Sequence, residues 1–376
     1  MIVDINTRIW ESTEQLGPAV AQQMLRRQVT PWDRPAASTD AHDAAMAKVE
    51  TAIILGFESA YLKASIPHEC VAKYVQRDPS KYLGFMGIDP TASNPVASLE
   101  KGLDLGLVGV TVSPSAQGFH PSNTDAMELY EACEAKNIPV FIEFDAMFAR
   151  DVKMEFGQPY LLDEVARTFP NLKIVINSLG HPWVEQAIAL IGKHPTVYTD
   201  LSDLILRPWQ LYNALLLAHQ QGVTSQIIFG SGFPYCTPEQ AIMTIYSVNT
   251  LVQGMQLPSV PREVLRSIIE RDTLGLLDLK KPVSAKPVES NSSQQLVEVV
   301  EVVAPNATEP TEAAVAPAEE PAPESAGLKL ADDVEFESEE IPVEVIEDET
   351  ETPAPEVAEK PEADNSSDEN TDSEEK

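Results

Sequence analysis

The chain has 376 residues and carries 59 Asp or Glu against 26 Lys or Arg, a formal charge of −33. That surplus opposes binding to nucleic acid or to anionic membranes. No apolar run is long enough to span a bilayer, and no basic region followed by an apolar stretch marks a signal peptide.

The three cysteines, Cys70, Cys133 and Cys236, form no CxxC pair. They read as reduced thiols of a cytoplasmic protein, each a small buried apolar residue. Composition divides the chain at residue 281. Residues 1–280 mix apolar runs, aromatics, Gly and Pro as one large domain does. Residues 281–376 hold 28 Asp or Glu against 5 Lys or Arg and a single aromatic, Phe336. So little apolar content and so much like charge predict a disordered acidic tail.

Short β-branched runs then alternate with segments of helical period. Strands are expected at Ile2–Ile5, Thr51–Phe57, Tyr82–Ile88, Val108–Val112, Val140–Phe144, Lys173–Ile176, Val197–Thr199 and Gln226–Phe229. Between and after them, helices are expected at 68–77, 95–105, 123–136, 161–169, 184–191, 209–221, 238–248 and 261–271. The stretch from Trp10 to Thr39 shows neither period and reads as a long loop over the top of the molecule. Strand–helix alternation with nearly continuous apolar strands predicts an α/β fold, a closed (β/α)8 TIM barrel. An open doubly wound sheet is the alternative, but its GxGxxG fingerprint is missing.

In such a barrel, functional groups sit at the carboxyl ends of the strands. Those positions hold Asn6 and Arg8, Glu143 and Asp145, Asn177 and Ser178, Asp200, and Ser231 and Gly232. Ordered along the chain are Gly106-Leu107-Val108-Gly109-Val110, Gln117-Gly118-Phe119-His120-Pro121, Phe169-Pro170-Asn171-Leu172-Lys173-Ile174, Leu179-Gly180-His181-Pro182-Trp183 and Phe229-Gly230-Ser231-Gly232-Phe233-Pro234. Together these segments resemble the amidohydrolase-related family, in its branch of metal-dependent hydrolases and decarboxylases of small carboxylated compounds.

The resemblance implies a divalent ion such as zinc, held by a His-x-His pair on strand one, histidines on strands five and six, and an Asp on strand eight. This chain has Asn6-Thr7-Arg8, Glu143, Ser178 and Gly232 at those places, so no metal ligand set and no cofactor are expected. A guanidinium is always charged and has no lone pair to give a metal. Arg8 and Glu143 are expected to form an ion pair that replaces the ion; the alternative is that both are solvated at an open mouth.

The catalytic candidates are Glu143, Asp145, Asp200 and His181; the binding candidates are Arg8, Asn6, Ser178, His120 and Gly232. Asp4, Asp145, Asp200 and Glu143 together would make an oxygen cluster suited to Mg2+ or Ca2+, which Arg8 would oppose. His181 reads first as a turn histidine bonded to backbone, and His120 reads equally as a residue that braces its own loop. His42, His68, His194 and His219 read as surface positions.

Two functions follow. One is a non-catalytic pseudoenzyme that binds a small carboxylated ligand or a protein partner. The other is a working hydrolase or carboxy-lyase with a rebuilt site. Two tail segments, 296–303 and 334–346, alternate β-branched residues with acids and suit strand addition to a partner protein. Self-association is expected from the resemblance.

Overall fold

The computed structural model describes residues 1–26, 37–143 and 149–280. The predicted tail and Asp145 lie outside the described residues.

The named strands are β1 (Val3–Thr7), β2 (Thr51–Leu55), β3 (Phe57–Ser59), β4 (Ala64–Ile66), β5 (Tyr82–Gly87), β6 (Gly109–Val112), β7 (Val140–Ile142), β8 (Ile174–Ile176) and β9 (Val197–Thr199). Seven of them form one parallel sheet in the order β1-β2-β5-β6-β7-β8-β9. The segment after β9 closes the ring. The Ile228 amide donates to Thr199 O at 2.8 Å, and the Ile5 amide donates to Phe229 O at 3.1 Å. Further up, the Gly232 amide donates to Asn6 O at 3.0 Å. This eighth wall pairs through single bridges at Ile227 and Phe233. Its irregularity has a steric cause: a Cβ at Gly230 would lie 3.0 Å from the Cβ atoms of both Asn6 and Asp200.

The strands are buried on both faces, as a parallel barrel requires. Val3, Ile5, Ile53, Leu55, Phe85, Phe141, Val175, Tyr198 and Ile228 fill the interior, and Leu274 of the last short helix and Leu277 at its C-cap join them. Alternate residues, among them Ala52, Ile54, Met86 and Val110, pack outward among the buried residues of the helices. Full burial of each large apolar side chain contributes about 1.5–3 kcal/mol.

The helices fall where the period places them, with caps that fix their ends. Asn123 Oδ1 accepts from the Asp125 amide at 2.9 Å to start Thr124–Lys136, and Asn137 ends it in the left-handed region. Pro95, Pro208 and Pro238 each open a helix where no backbone donor is needed.

Three expectations are corrected. The stretch 10–39 is not a plain loop: it holds a 3-10 turn at Thr13–Leu16 and helix Pro18–Arg26, and helix Thr39–Ala45 begins at its end. Gln15 Oε1 accepts from the Glu11 amide at 2.7 Å, and Ser38 Oγ accepts from the Ala41 amide at 3.3 Å. These caps organise segments too short to show a period. The second expected strand stops at Leu55, because Gly56 presses against β5: a Cβ there would lie 2.7 Å from Gly87 N. Beyond it β3 and β4 form an antiparallel hairpin. Cys133 and Cys236 are buried as expected, but Cys70 is exposed.

Candidate functional site

A bulge on β1 aims the site. Asp4 pairs with Ala52 and Thr7 with Ile54, so Ile5 and Asn6 together oppose Ile53. The extra residue lets two neighbours point inward and restores alternation beyond them. Ile5 stays in the barrel interior. Asn6 reaches Asp200, while Thr7 turns out to helix Thr39–Ala45, where its hydroxyl lies 2.9 Å from His42 Nε2. Arg8 then faces the mouth.

Glu143 follows β7, the fifth strand in ring order, which stands opposite β1 in a ring of eight. Its amide donates to Val112 O at 2.8 Å and its carbonyl accepts from Ser113 Oγ at 3.0 Å. From these two walls Arg8 Nη2 and Glu143 Oε1 meet as an ion pair. Their side chains are 7% and 6% exposed, which excludes the solvated alternative. Above the pair is a cavity of about 60 Å3, walled by Trp10, Leu16, Val20, Phe57 and Tyr235. Leu16 and Val20 come from the segment expected to cover the top, so that part of the expectation holds.

A second buried cluster locks the wall beside it. Asp200, fully buried after β9, accepts from Asn6 Nδ2 at 2.8 Å through Oδ2. Its Oδ1 accepts from the Ser178 amide at 2.8 Å and from the Ser202 amide and hydroxyl at 2.9 and 2.8 Å. Burial pushes the Asp200 pKa up, against the lowering effect of these donors. Ser178 sits at φ 54° and its Oγ accepts from the Asp203 amide at 2.9 Å. Asp203 in turn lies 3.3 Å from His181 Nδ1 and 2.6 Å from Arg207. Burial acts against the charge on Asp203, but His181 and Arg207 hold its carboxyl below the usual range.

The structure thus brings together Arg8 with Glu143, and Asn6 with Asp200 and Ser178. Gly232, at φ 74°, packs on the second cluster: a Cβ there would come within 2.9 Å of Ser202 Cβ. His181 belongs to the edge of that cluster. His120 does not join either group; it is exposed, and its Nδ1 accepts from the Ser122 amide at 3.2 Å, bracing its own turn.

Asp4 does not meet Glu143. Its Oδ1 accepts from the Ser231 amide at 2.9 Å and the Asn6 amide at 3.2 Å, and its Oδ2 has no hydrogen-bond partner. Burial pushes the Asp4 carboxyl up to about 7.

Three histidines expected at the surface are buried. His42 Nδ1 lies 2.7 Å from the Tyr74 hydroxyl, His68 Nε2 is 2.9 Å from Gly87 O, and His194 Nε2 is 2.8 Å from Asp163. Burial pushes His42 down to about 3, so it is neutral. Ser202 and the aromatic walls escaped sequence reasoning. The Asp-x-Ser spacing of Asp200 and Ser202, which suits an Asx turn, was the available signal.

These residues do not fit a divalent ion. Asn6 presents its donor nitrogen to Asp200, both Asp200 oxygens accept protein hydrogen bonds, and Arg8 sets a fixed positive charge at the mouth. Among the described residues no three His, Cys, Asp or Glu side chains are grouped to hold a metal.

A closed parallel barrel with a small buried-charge mouth is the class defined so far. The amidohydrolase family model matches residues 4–268, and the chain belongs to that family. No curated protein matches the chain. Among solved structures, an uncharacterised TIM-barrel protein of Bordetella bronchiseptica is 19% identical, with a TM-score of 0.55 over 74% of this chain and 98% of that one. A dihydroxybenzoic acid decarboxylase of Polaromonas sp. JS666, with bound manganese and 2-nitroresorcinol, is 14% identical, with a TM-score of 0.51 over 74% and 96%. A 5-carboxyvanillate decarboxylase of Sphingomonas paucimobilis is 13% identical, with a TM-score of 0.51 over 74% and 99%. At these identities the likeness is one of fold. Among the described residues no helix is long and apolar enough to cross a membrane.

Two outcomes follow. Removing one member of a buried ion pair strands the other, so Arg8→Ala and Glu143→Ala are each expected to destabilise by about 3–5 kcal/mol. The double variant loses less than the two losses added together, as read from urea melts; strict additivity contradicts the pairing. The second outcome concerns pH. An unfolded Asp titrates near pH 4 (about 3.9), whereas folded Asp4 holds its proton to about 7. The contribution of Asp4 is therefore full below about pH 4 and falls away as pH rises to about 7. Asp4→Asn is expected to gain stability over the wild type at pH 8 and to match it at pH 4; an equal difference at both pH values contradicts the assignment.

Proposed function

We propose that this barrel is a non-catalytic member of the amidohydrolase family that binds a small ligand at its mouth. The supporting observation is the buried Arg8–Glu143 pair, which spans the mouth at two of the positions where the family resemblance implies metal ligands. Water activation by the family's route needs a Lewis acid or a free base. Here Glu143 is paired with Arg8, and Asp200 is fully hydrogen-bonded.

The cavity suits a ligand of few atoms. Its Trp10, Phe57 and Tyr235 walls offer faces to a planar group, and Arg8 offers a bidentate donor to a carboxylate that exchanges with Glu143. A carboxylated compound is therefore the ligand class of this reading, and the protein acts as a receptor for it in a water-based compartment.

The test is a screen of small esters, amides and aromatic carboxylic acids, read both as turnover and as thermal shift. The expected result is no turnover above the uncatalysed rate, with a carboxylate raising Tm more than its amide counterpart. Turnover that disappears in Glu143→Gln would instead establish an active hydrolase or carboxy-lyase with a rebuilt site.

A further inference from the structure

A ligand at the mouth has to meet an electrostatic condition. Arg8 and Glu143 touch, and both side chains are buried. A carboxylate that takes the guanidinium from Glu143 leaves a buried charge without its partner, which is the costly way to open such a pair. Sharing Arg8 between two carboxylates sets like charges side by side in one small space. A ligand that brings only a cation strands Arg8 in the same way. A ligand that brings both charges strands neither group, because its carboxylate faces Arg8 while its cation faces Glu143.

The walls suit the cationic half of such a ligand. Trp10, Phe57 and Tyr235 line the cavity beside the pair. Trp10 and Phe57 are buried, and the Trp10 and Tyr235 ring centroids lie 6.4 Å apart at an interplanar angle of 50°. Backbone bonds set each ring from its own segment. The Trp10 amide donates to Ala37 O at 3.1 Å, and the Tyr235 amide donates to Gly232 O at 3.0 Å. Phe57 pairs with Ile66 in the β3–β4 hairpin. Three aromatic rings held around one small space attract a cation through their quadrupoles, most strongly where water is excluded. Leu16 and Val20 complete the wall with methyl groups.

We infer that the ligand of the mouth is a small zwitterion, a carboxylate joined by a short linker to a quaternary, N-methylated ammonium; this rests on the binding role proposed above and narrows its ligand class. The ammonium lies among Trp10, Phe57 and Tyr235 next to Glu143, and the carboxylate lies on Arg8. The linker is short because Arg8 and Glu143 touch, so the ligand's two charges must be equally close. Counting donors favours a quaternary over a primary ammonium. A primary ammonium carries three N–H donors, and a buried donor left without an acceptor costs free energy. Among the described lining side chains, Glu143 and the Tyr235 hydroxyl are the acceptors, since Trp and Arg only donate. A trimethylated nitrogen keeps the charge, has no donor to satisfy and sets its methyl groups against Leu16, Val20 and the rings.

Calorimetric titration of the full chain with three probes tests the inference. They are glycine betaine, tert-butylacetate, which has carbon in place of its nitrogen, and choline, which lacks the carboxylate. Glycine betaine is expected to bind saturably and at least about tenfold more tightly than either of the others. Trp10→Leu is expected to abolish that preference. In Glu143→Gln the order is expected to reverse, because Arg8 then lacks its counter-charge and favours the anion tert-butylacetate. Circular dichroism in the far ultraviolet checks that each variant is folded, and either folded variant suffices. Binding of tert-butylacetate to the wild type as tight as that of glycine betaine overturns the zwitterion and leaves a carboxylate receptor standing. Equally tight binding of choline overturns it too, as does a preference for glycine betaine that persists in a folded variant. Absence of glycine betaine binding also overturns it, and the carboxylate receptor then stands or falls by the thermal-shift screen above.

Discussion

A guanidinium and a carboxylate meet across the mouth of this barrel, and the remaining geometry of the site follows from that contact. Arg8 and Glu143 come from strands on opposite walls, so their pair braces the ring along a diameter. In an enzyme of this family the same space is the natural place for an ion held by several walls. Both devices satisfy buried charge, but they differ in chemistry. A metal polarises water, whereas an Arg–Glu pair is neutral as a unit.

The wall beside the pair is close-fitting. The bulge at Ile5 and Asn6 puts consecutive side chains into the ring, and Gly230 lets Asn6 and Asp200 approach across the eighth wall. Once there, Asp200 is saturated by Asn6, Ser178 and Ser202. A buried carboxylate in low dielectric is costly unless so satisfied, and the satisfied network is rigid. An Asp side chain at position 232 would meet Ser202.

Much of this was legible in the sequence, for identifiable reasons. Strands buried on both faces are unbroken apolar runs, so seven of them were located to within two or three residues. Arg8, Glu143, Asn6 and Ser178 stood out because they occupy motif positions with the wrong chemistry for a metal. What escaped depends on tertiary partners. The eighth wall is held by single bridges around glycines, which no period encodes. His42 reads as a surface residue in the sequence because its burial is made tolerable by Tyr74 and Thr7, which lie 32 and 35 residues away. His120 reads in the sequence both as a ligand-binding and as a loop-bracing residue, and its Nδ1 accepts from the Ser122 amide in its own turn. The cavity walls come from four separate segments and carry no shared motif.

The central claim is that a fixed charge pair has taken the place of a metal. The most direct measurement is calorimetric titration of the purified wild type with zinc and with manganese, alongside elemental analysis of the protein as isolated. The account predicts no saturable binding at the mouth and no stoichiometric metal. One equivalent of either ion, bound with a heat that vanishes in Glu143→Gln, would contradict it.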